Sequence, residues 1–221
     1  MLYIVATPIG NLKDISLRAI QTLKDVDLIA CEDTRKTQIL LNTYQIKKPL
    51  ISYYSYNQIK RSEELLNLLK QGKSIALVSE AGTPGISDPG AQLIKLAIEN
   101  DIPVTHIPGP AALIVALSVS GLPIHKFVFE GFLPKKPGAR KKRLTNLAKD
   151  DYTIVLYESP YRVKKLLDEI LEIMGDREIA VARELTKKFE EVKRGRVSEL
   201  IDYFQQNKPR GEFIIVISGK K

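Results

Sequence analysis

The chain has 221 residues, room for one large or two modest domains, and its 44% hydrophobic and 27% charged content is that of a globular protein. No apolar run reaches the roughly 18 to 20 residues a membrane span requires, and the start, MLYIVATPIG, lacks the basic n-region and long h-region of a signal peptide. One cysteine, Cys31, excludes an internal disulfide and a cysteine-based zinc cluster; two histidines, His106 and His125, leave little for a metal site, and none is assigned. A reducing cytoplasm is the compartment this cysteine usage fits. The net charge of +8 is concentrated: residues 134–149, PKKPGARKKRLTNLAK, hold seven basic residues and no acidic one, leaving +1 for the rest of the chain. Such a run attracts a phosphate backbone, or else is a solvated helix face.

Strand-length apolar runs alternate with amphipathic segments. In the first half the strands are expected at 2–6, 27–31, 49–54, 74–78 and 103–107, with helices at 16–25, 35–44, 58–71 and 90–100. In the helix at 58–71, Ile59, Leu65, Leu66 and Leu69 are assigned to the buried face. Continuous apolar strands separated by helices predict a parallel sheet covered on both faces. A mostly apolar helix, 109–120, follows and should be buried. The turn-like GLPIHK then marks a boundary near 122. Beyond it strands are expected at 127–132, 152–157, 178–183, 189–195 and 212–218, with helices at 139–149, 161–174 and 197–206. The short ELTKK link implies an antiparallel pair within 178–195. The fold class is therefore α/β with two domains: 1–122 with a mostly parallel sheet, and 123–221 with a mixed one.

Ligands of open parallel sheets bind beyond the carboxyl ends of the strands. Four loops there are unusual: TPIGN (7–11), EDTR (32–35), SEAGTPGISDPG (79–90) and PGPAA (108–112). Glycine permits positive φ and close backbone approach, and proline stiffens, so the rim is preorganised for a small molecule. Neither G-x-x-x-x-G-K-[ST] nor G-x-G-x-x-G follows a strand, so the two standard phosphate cradles are absent and a cofactor without phosphates would suit.

ATPIGNL, CEDTR, SEAGTPGISDPG, PGPAA, YESPYR, ARELTK and RGEF occur in this order between residues 6 and 213. Together they closely resemble the ribose 2′-O-methyltransferases of 16S ribosomal RNA within the tetrapyrrole methylase superfamily, the class III S-adenosylmethionine-dependent methyltransferases. The resemblance implies a cytoplasmic homodimer that binds S-adenosylmethionine in a cleft between domains and methylates a cytidine ribose in the decoding region of small-subunit ribosomal RNA, free or in the 30S particle. It implies cofactor contacts at Pro8, Glu80, Gly82, Thr83, Pro84, Gly85, Ile86, Ala111 and Ala112, and from the second domain at Leu156, Tyr157, Ala182, Phe213 and Ile214. Two departures stand out. Glu80 occupies a position often held by Asp, and longer members continue beyond the point where this sequence reads SGKK, which places more of the RNA contact on residues 134–149.

A ribose hydroxyl is a weak nucleophile, so a general base or a cation beside the developing alkoxide would help. Asp33, Arg35, Glu158, Arg162, Glu184 and Lys187 lie in motif loops at strand ends, each alternatively a loop salt bridge or helix cap. Asp33, Glu184 and Lys187 are the catalytic candidates. The candidate RNA contacts are Arg35, Lys135, Lys136, Arg140, Lys141, Lys142, Arg143 and Arg162. Cys31 and His106 are expected to be structural. Tyr53, Tyr54 and Tyr56 either stack on an unpaired base or pack on the next helix. A same-fold methyltransferase acting on a tetrapyrrole or other small molecule, and a non-catalytic RNA-binding protein, are the alternative readings.

Overall fold

The computed structural model describes residues 1–220. The chain divides into two compact units, residues 1–111 and residues 112 onward. The first runs β1 (Leu2–Val5), α1 (Leu17–Asp25), β2 (Leu28–Cys31), α2 (Thr34–Thr43), β3 (Leu50–Ser52), α3 (Gln58–Lys70), β4 (Ile75–Val78), α4 (Ala91–Glu99) and β5 (Val104–Ile107). Its strands are short apolar runs between capped helices. Ser16 opens α1 by accepting from the Ala19 amide at 3.1 Å, and Asp33 opens α2. The five strands pair in parallel in the order β3-β2-β4-β1-β5.

Both faces of this sheet are covered, as continuous apolar strands require. Alternate strand residues point to opposite sides. Ile29, Cys31, Ala76 and Val78 meet Ala19 and Leu23 of α1 and Leu40 and Leu41 of α2. Leu28, Ala30, Ile75 and Leu77 meet Leu65 and Leu69 of α3 and Leu93 and Ala97 of α4. Cys31 is a buried free thiol whose pKa burial pushes up. His106 lies exposed on the edge strand β5. Ile59 departs from the sequence reading, being 73% exposed. The α3 face is instead completed by Ser62, one turn before Leu65 and Leu66, which is fully buried and bonded to the Tyr53 hydroxyl at 3.0 Å.

The second unit runs α5 (Ala112–Ser120), β6 (Phe127–Phe132), α6 (Pro137–Leu147), β7 (Thr153–Glu158), α7 (Val163–Met174), β8 (Glu178–Arg183), β9 (Glu191–Arg196), α8 (Val197–Gln206) and β10 (Phe213–Ile217). The sheet order is β6-β7-β10-β8-β9, parallel between β6 and β7 and antiparallel elsewhere. The β8–β9 hairpin is the antiparallel pair expected from ELTKK. Helices α6, α7 and α8 bury one face of this sheet. Helix α5 packs on β10, β8 and β9, where Ala180, Ala182, Ile214 and Val216 form the other face. The sequence alone places the domain division at 122. The contacts of α5 carry it into the second unit, because a helix reading ALIVALSVS has no polar side and takes the sheet it can cover.

Candidate functional site

In the first unit, β2 and β4 are neighbours whose outgoing helices leave toward opposite faces, α2 to one and α4 to the other. Their loops therefore part, opening the crevice in which open α/β sheets bind ligands. The four unusual loops gather at this edge and are knit together. Thr7 and Gly82 form an antiparallel bridge, amide to carbonyl in both directions at 2.8 and 3.0 Å. The Thr7 hydroxyl donates to the Ser79 carbonyl and the Ser79 hydroxyl to the Gly82 carbonyl, each at 3.2 Å, and Thr83 donates to the Pro110 carbonyl at 3.3 Å. Lys36, in the first turn of α2, is ion-paired with Glu80. Gly82 and Gly85 hold φ of +87° and +85°, a region closed to most side chains; a Cβ on Gly82 would meet Ile9 and the Pro110 carbonyl at ordinary contact distance, so the backbone angle is what calls for glycine there. Ser87 takes φ +64° without being glycine, a local strain of the kind that accumulates at binding loops.

Carboxylates crowd the same edge. Glu32 follows β2 directly, Glu80 follows β4, and Asp88 sits further along the loop after β4. Burial, then the charges of Glu32 and Glu80, push the Asp88 carboxyl up to about 6, although the Ser79 hydroxyl bonded to it works the other way. Glu32 is raised for the same reasons: burial first, then Glu80 and Asp33, offset by Lys36. Asp88 is thus a carboxylate at neutral pH that still has appreciable proton affinity, the property a general base needs. Sequence reasoning missed it. Asp88 stands in the quoted glycine-rich stretch, but its proton affinity depends on carboxylates brought beside it by the pairing of β2 with β4.

The three catalytic candidates from sequence sit differently. Asp33 is the N-cap of α2, accepting from the Arg35 amide at 2.8 Å and from the Arg35 guanidinium at 3.0 and 3.3 Å. Arg35 holds its pKa at about 2, which makes it a poor base. Glu184 and Lys187 are bonded to one another at 3.1 Å, and Lys187 also reaches Glu212 at 2.7 Å. Glu184 further accepts from the Glu212 amide at 3.0 Å. Although burial opposes it, the Glu212 amide and Lys187 hold the Glu184 carboxyl below its usual range. These two residues are a strut between the β8–β9 link and the chain entering β10.

In the second unit the expected cofactor residues divide by parity. Tyr157, Ile214 and Ala182 lie side by side across β7, β10 and β8 on the face that α5 shares. Leu156 and Phe213 point the other way, into the core under α6–α8, so their side chains face away from that row. Ala111 and Ala112 are half-buried at the junction of the two units, and Pro8 is buried.

Tetrapyrrole (Corrin/Porphyrin) Methylases is the description of the family whose sequence model matches residues 1–201. The chain belongs to the tetrapyrrole methylase family. A protein of Thermotoga maritima named ribosomal RNA small subunit methyltransferase I is 53% identical over 220 residues, covering 100% of this chain and 99% of its own length. The Bacillus subtilis protein of the same name is 48% identical over 99% of this chain and 75% of its own. Among solved structures, a diphthine synthase superposes with a TM-score of 0.75 at 16% identity, covering 100% of this chain and 90% of that one. The cobalt precorrin-4 methyltransferase CbiF superposes with 0.70 at 20%, covering 98% and 94%. At such identities these two attest the fold alone. The methylase is an enzyme of methyl transfer, and methyltransferases of its superfamily use S-adenosylmethionine.

The rim of this methylase fits that group. Its glycines open a backbone cradle with positive φ, and the carboxylates of Glu32, Glu80 and Asp88 suit a ligand whose sulfonium and ammonium are cationic. The methylase's basic run, in contrast, is partly interior. Arg140 is 4% exposed and forks onto Glu169 at 2.6 and 2.7 Å, with the Lys135 carbonyl at 3.0 Å. It is a strut between α6 and α7, out of reach of RNA. Arg162 likewise forks onto the buried Glu158 at 2.7 Å and donates to the Leu133 carbonyl. Arg143 pairs with Glu130 and Lys141 with Glu172, both half-exposed, while Lys135, Lys136 and Lys142 extend into solvent. Among the described residues no group of three His, Cys, Asp or Glu is placed to hold a metal ion.

Proposed function

We propose that this methylase transfers the methyl group of S-adenosylmethionine to the ribose 2′-hydroxyl of a cytidine in the decoding region of small-subunit ribosomal RNA, acting in the cytoplasm as a homodimer. The observation that carries the reading is the 53% identity along the full length of a relative named for methylation of that RNA. When bound, the cofactor supplies an electrophilic methyl carbon; the chain's own residues align the acceptor and take its proton. Gly82, Thr83, Pro84, Gly85 and Ile86 hold the cofactor by backbone, with Pro8, Glu80, Ala111 and Ala112 beside them. Tyr157, Ala182 and Ile214 are the second-unit contacts, with Leu156 and Phe213 contributing backbone.

Asp88 is the proton acceptor in this reading. At neutral pH it is ionised, and its raised affinity lets it share the hydroxyl proton as the oxygen attacks. Neutral departure of the thioether requires no acid, so one base suffices, and alignment supplies much of the rate. Lys135, Lys136 and Lys142, with Lys141, Arg143 and Arg35 at paired but accessible positions, hold phosphates. The test is transfer of labelled methyl from S-adenosylmethionine to 30S subunits from methylation-deficient cells, with uroporphyrinogen offered in parallel. Label at an alkali-resistant linkage in the RNA is expected. Label in uroporphyrinogen would move the protein to the small-molecule branch of its family, and cofactor binding without label in either would overturn the substrate assignment.

A further inference from the structure

The loop after β3 presents aromatic rings that the first unit does not use for packing. Tyr53 is the exception: it is 1% exposed, its amide donates to the Cys31 carbonyl at 2.7 Å, and its hydroxyl meets Ser62. With Tyr53 pinned, Asn57 builds the turn. Its side chain accepts from the Tyr54 amide at 2.8 Å and donates to the Ser52 carbonyl at 3.2 Å, and its own amide donates to the Tyr54 carbonyl at 3.0 Å. That scaffold leaves Tyr56 97% exposed and Tyr54 40% exposed, edge to face with centroids 6.5 Å apart. An edge-to-face pair covers one face of one ring and leaves the remaining faces open. Ile59, in the first turn of α3, is exposed nearby in the chain.

The position is as informative as the rings. β3 pairs with β2, Cys31 opposite Ser52, so this turn stands beside the loop bearing Glu32, Asp33 and Arg35 at the carboxyl edge. The surrounding chain is basic: from Thr34 to Ser62 there are six lysines and arginines and no acidic residue. Arg35 extends with its side chain 89% exposed even while touching Asp33. Lys47 and Lys60 are exposed, Lys48 half so. Lys47 and Lys48 enter β3 at its amino end, so it is Lys60 and Arg35 that lie on the carboxyl side with the rings. Open aromatic faces framed by cations are the means by which proteins hold unpaired nucleotides.

We infer that Tyr54 and Tyr56, flanked by Lys60 and Arg35, are a stacking platform for an unpaired base of the RNA substrate next to the methylated nucleotide. The inference rests on the RNA reading above and adds to it the residues that position the strand. Tyr56 is so exposed that its removal costs no packing, which separates a binding role from a folding one.

The experiment compares wild type with Tyr56→Ala, Tyr54→Ala and Tyr56→Phe. It measures binding of a short labelled single-stranded RNA of mixed sequence and steady-state methylation of 30S subunits from methylation-deficient cells. Loss of one stack should weaken RNA binding and raise the KM for 30S by roughly 5- to 150-fold, and in Tyr56→Ala the Kd for S-adenosylmethionine and the melting temperature should stay unmoved. Tyr56→Phe, which keeps the ring, should restore KM. Arg35→Ala with Lys60→Ala should flatten the dependence of log affinity on log salt by about 1.4, near 0.7 for each phosphate contact. If wild type methylates RNA and Tyr56→Ala leaves both RNA affinity and KM as they were, the platform is overturned and the RNA reading stands. If wild type neither binds nor methylates RNA, both fall together.

Discussion

Replacing Arg140 by methionine should destabilise the second unit without weakening RNA binding. The Arg140 and Glu169 side chains are each 5% exposed and share two hydrogen bonds of 2.6 and 2.7 Å between α6 and α7. Methionine fills most of the space but leaves the Glu169 carboxylate buried and unpartnered, which costs about 3–5 kcal/mol in comparable pairs. For a chain of this length that is a fall of roughly 6–20 °C in the melting temperature of the transition involving this unit. Arg140→Met with Glu169→Leu should recover most of the loss, because the two charges then leave the core together. The pH dependence has a definite sign. Arg140 holds the folded Glu169 pKa below its usual value, so this pair's stability is present above the unfolded carboxylate pKa of about 4.5 and is lost as pH falls through the lower folded value. Without Arg140 the buried carboxyl is raised instead, so the variant gains on wild type in acid. The assay is thermal unfolding of wild type, single and double variants near neutral pH and in mild acid, with RNA affinity measured well below melting. A single variant within about 1 kcal/mol of wild type, or one that keeps its stability but loses RNA affinity, would refute the buried-strut reasoning.

Asp88→Asn should lower methyl transfer by roughly 10²- to 10⁴-fold and abolish the acid limb of kcat/KM, which in wild type should rise through about pH 6. Because the folded pKa of Asp88 lies above its unfolded value, ionising it opposes folding. Stability falls as pH rises between about 4 and 6, and Asp88→Asn should melt higher than wild type at neutral pH. Gly85→Val should abolish S-adenosylmethionine binding measured by calorimetry: the loop has room for a Cβ, but a β-branched residue at φ +85° would force the backbone out of its cradle. Gly211→Ala should cost about 1–2 kcal/mol for its φ of +86° alone, and more because its Cβ would run into the Glu184 side chain; a variant as stable as wild type in chemical denaturation would remove the strut role given to Glu184.

Most elements were legible because periodicity reports burial. The strand 127–132, the strand 178–183 and the helix 197–206 fall where the apolar pattern puts them. The failures each have a physical source. Ile59 is placed on the α3 face by hydrophobicity and shares the azimuth of Leu66, seven residues on, but it sits in the first turn of α3 and is exposed, and the buried face is completed by a hydrogen-bonded serine, Ser62. Leu156 and Phe213 belong to cofactor motifs, yet strand parity turns their side chains to the far face. Arg140 reads as surface charge until Glu169, on the next helix, is known to face it. The carboxyl cluster was least legible. Glu32, Glu80 and Asp88 meet because β4 inserts between β2 and β1, and no local pattern encodes that strand order.

The attachment of α5 also decides where the chain can be cut. A piece beginning at Gly121 would leave Ala180, Ala182, Ile214 and Val216 bare, a continuous greasy surface prone to self-association. A piece beginning at Ala112 carries its own cover for that surface. Gene fusion, limited proteolysis or domain exchange in this family should therefore respect the seam inside PGPAA, between its two alanines, and treat the turn at GLPIHK as interior to the second module.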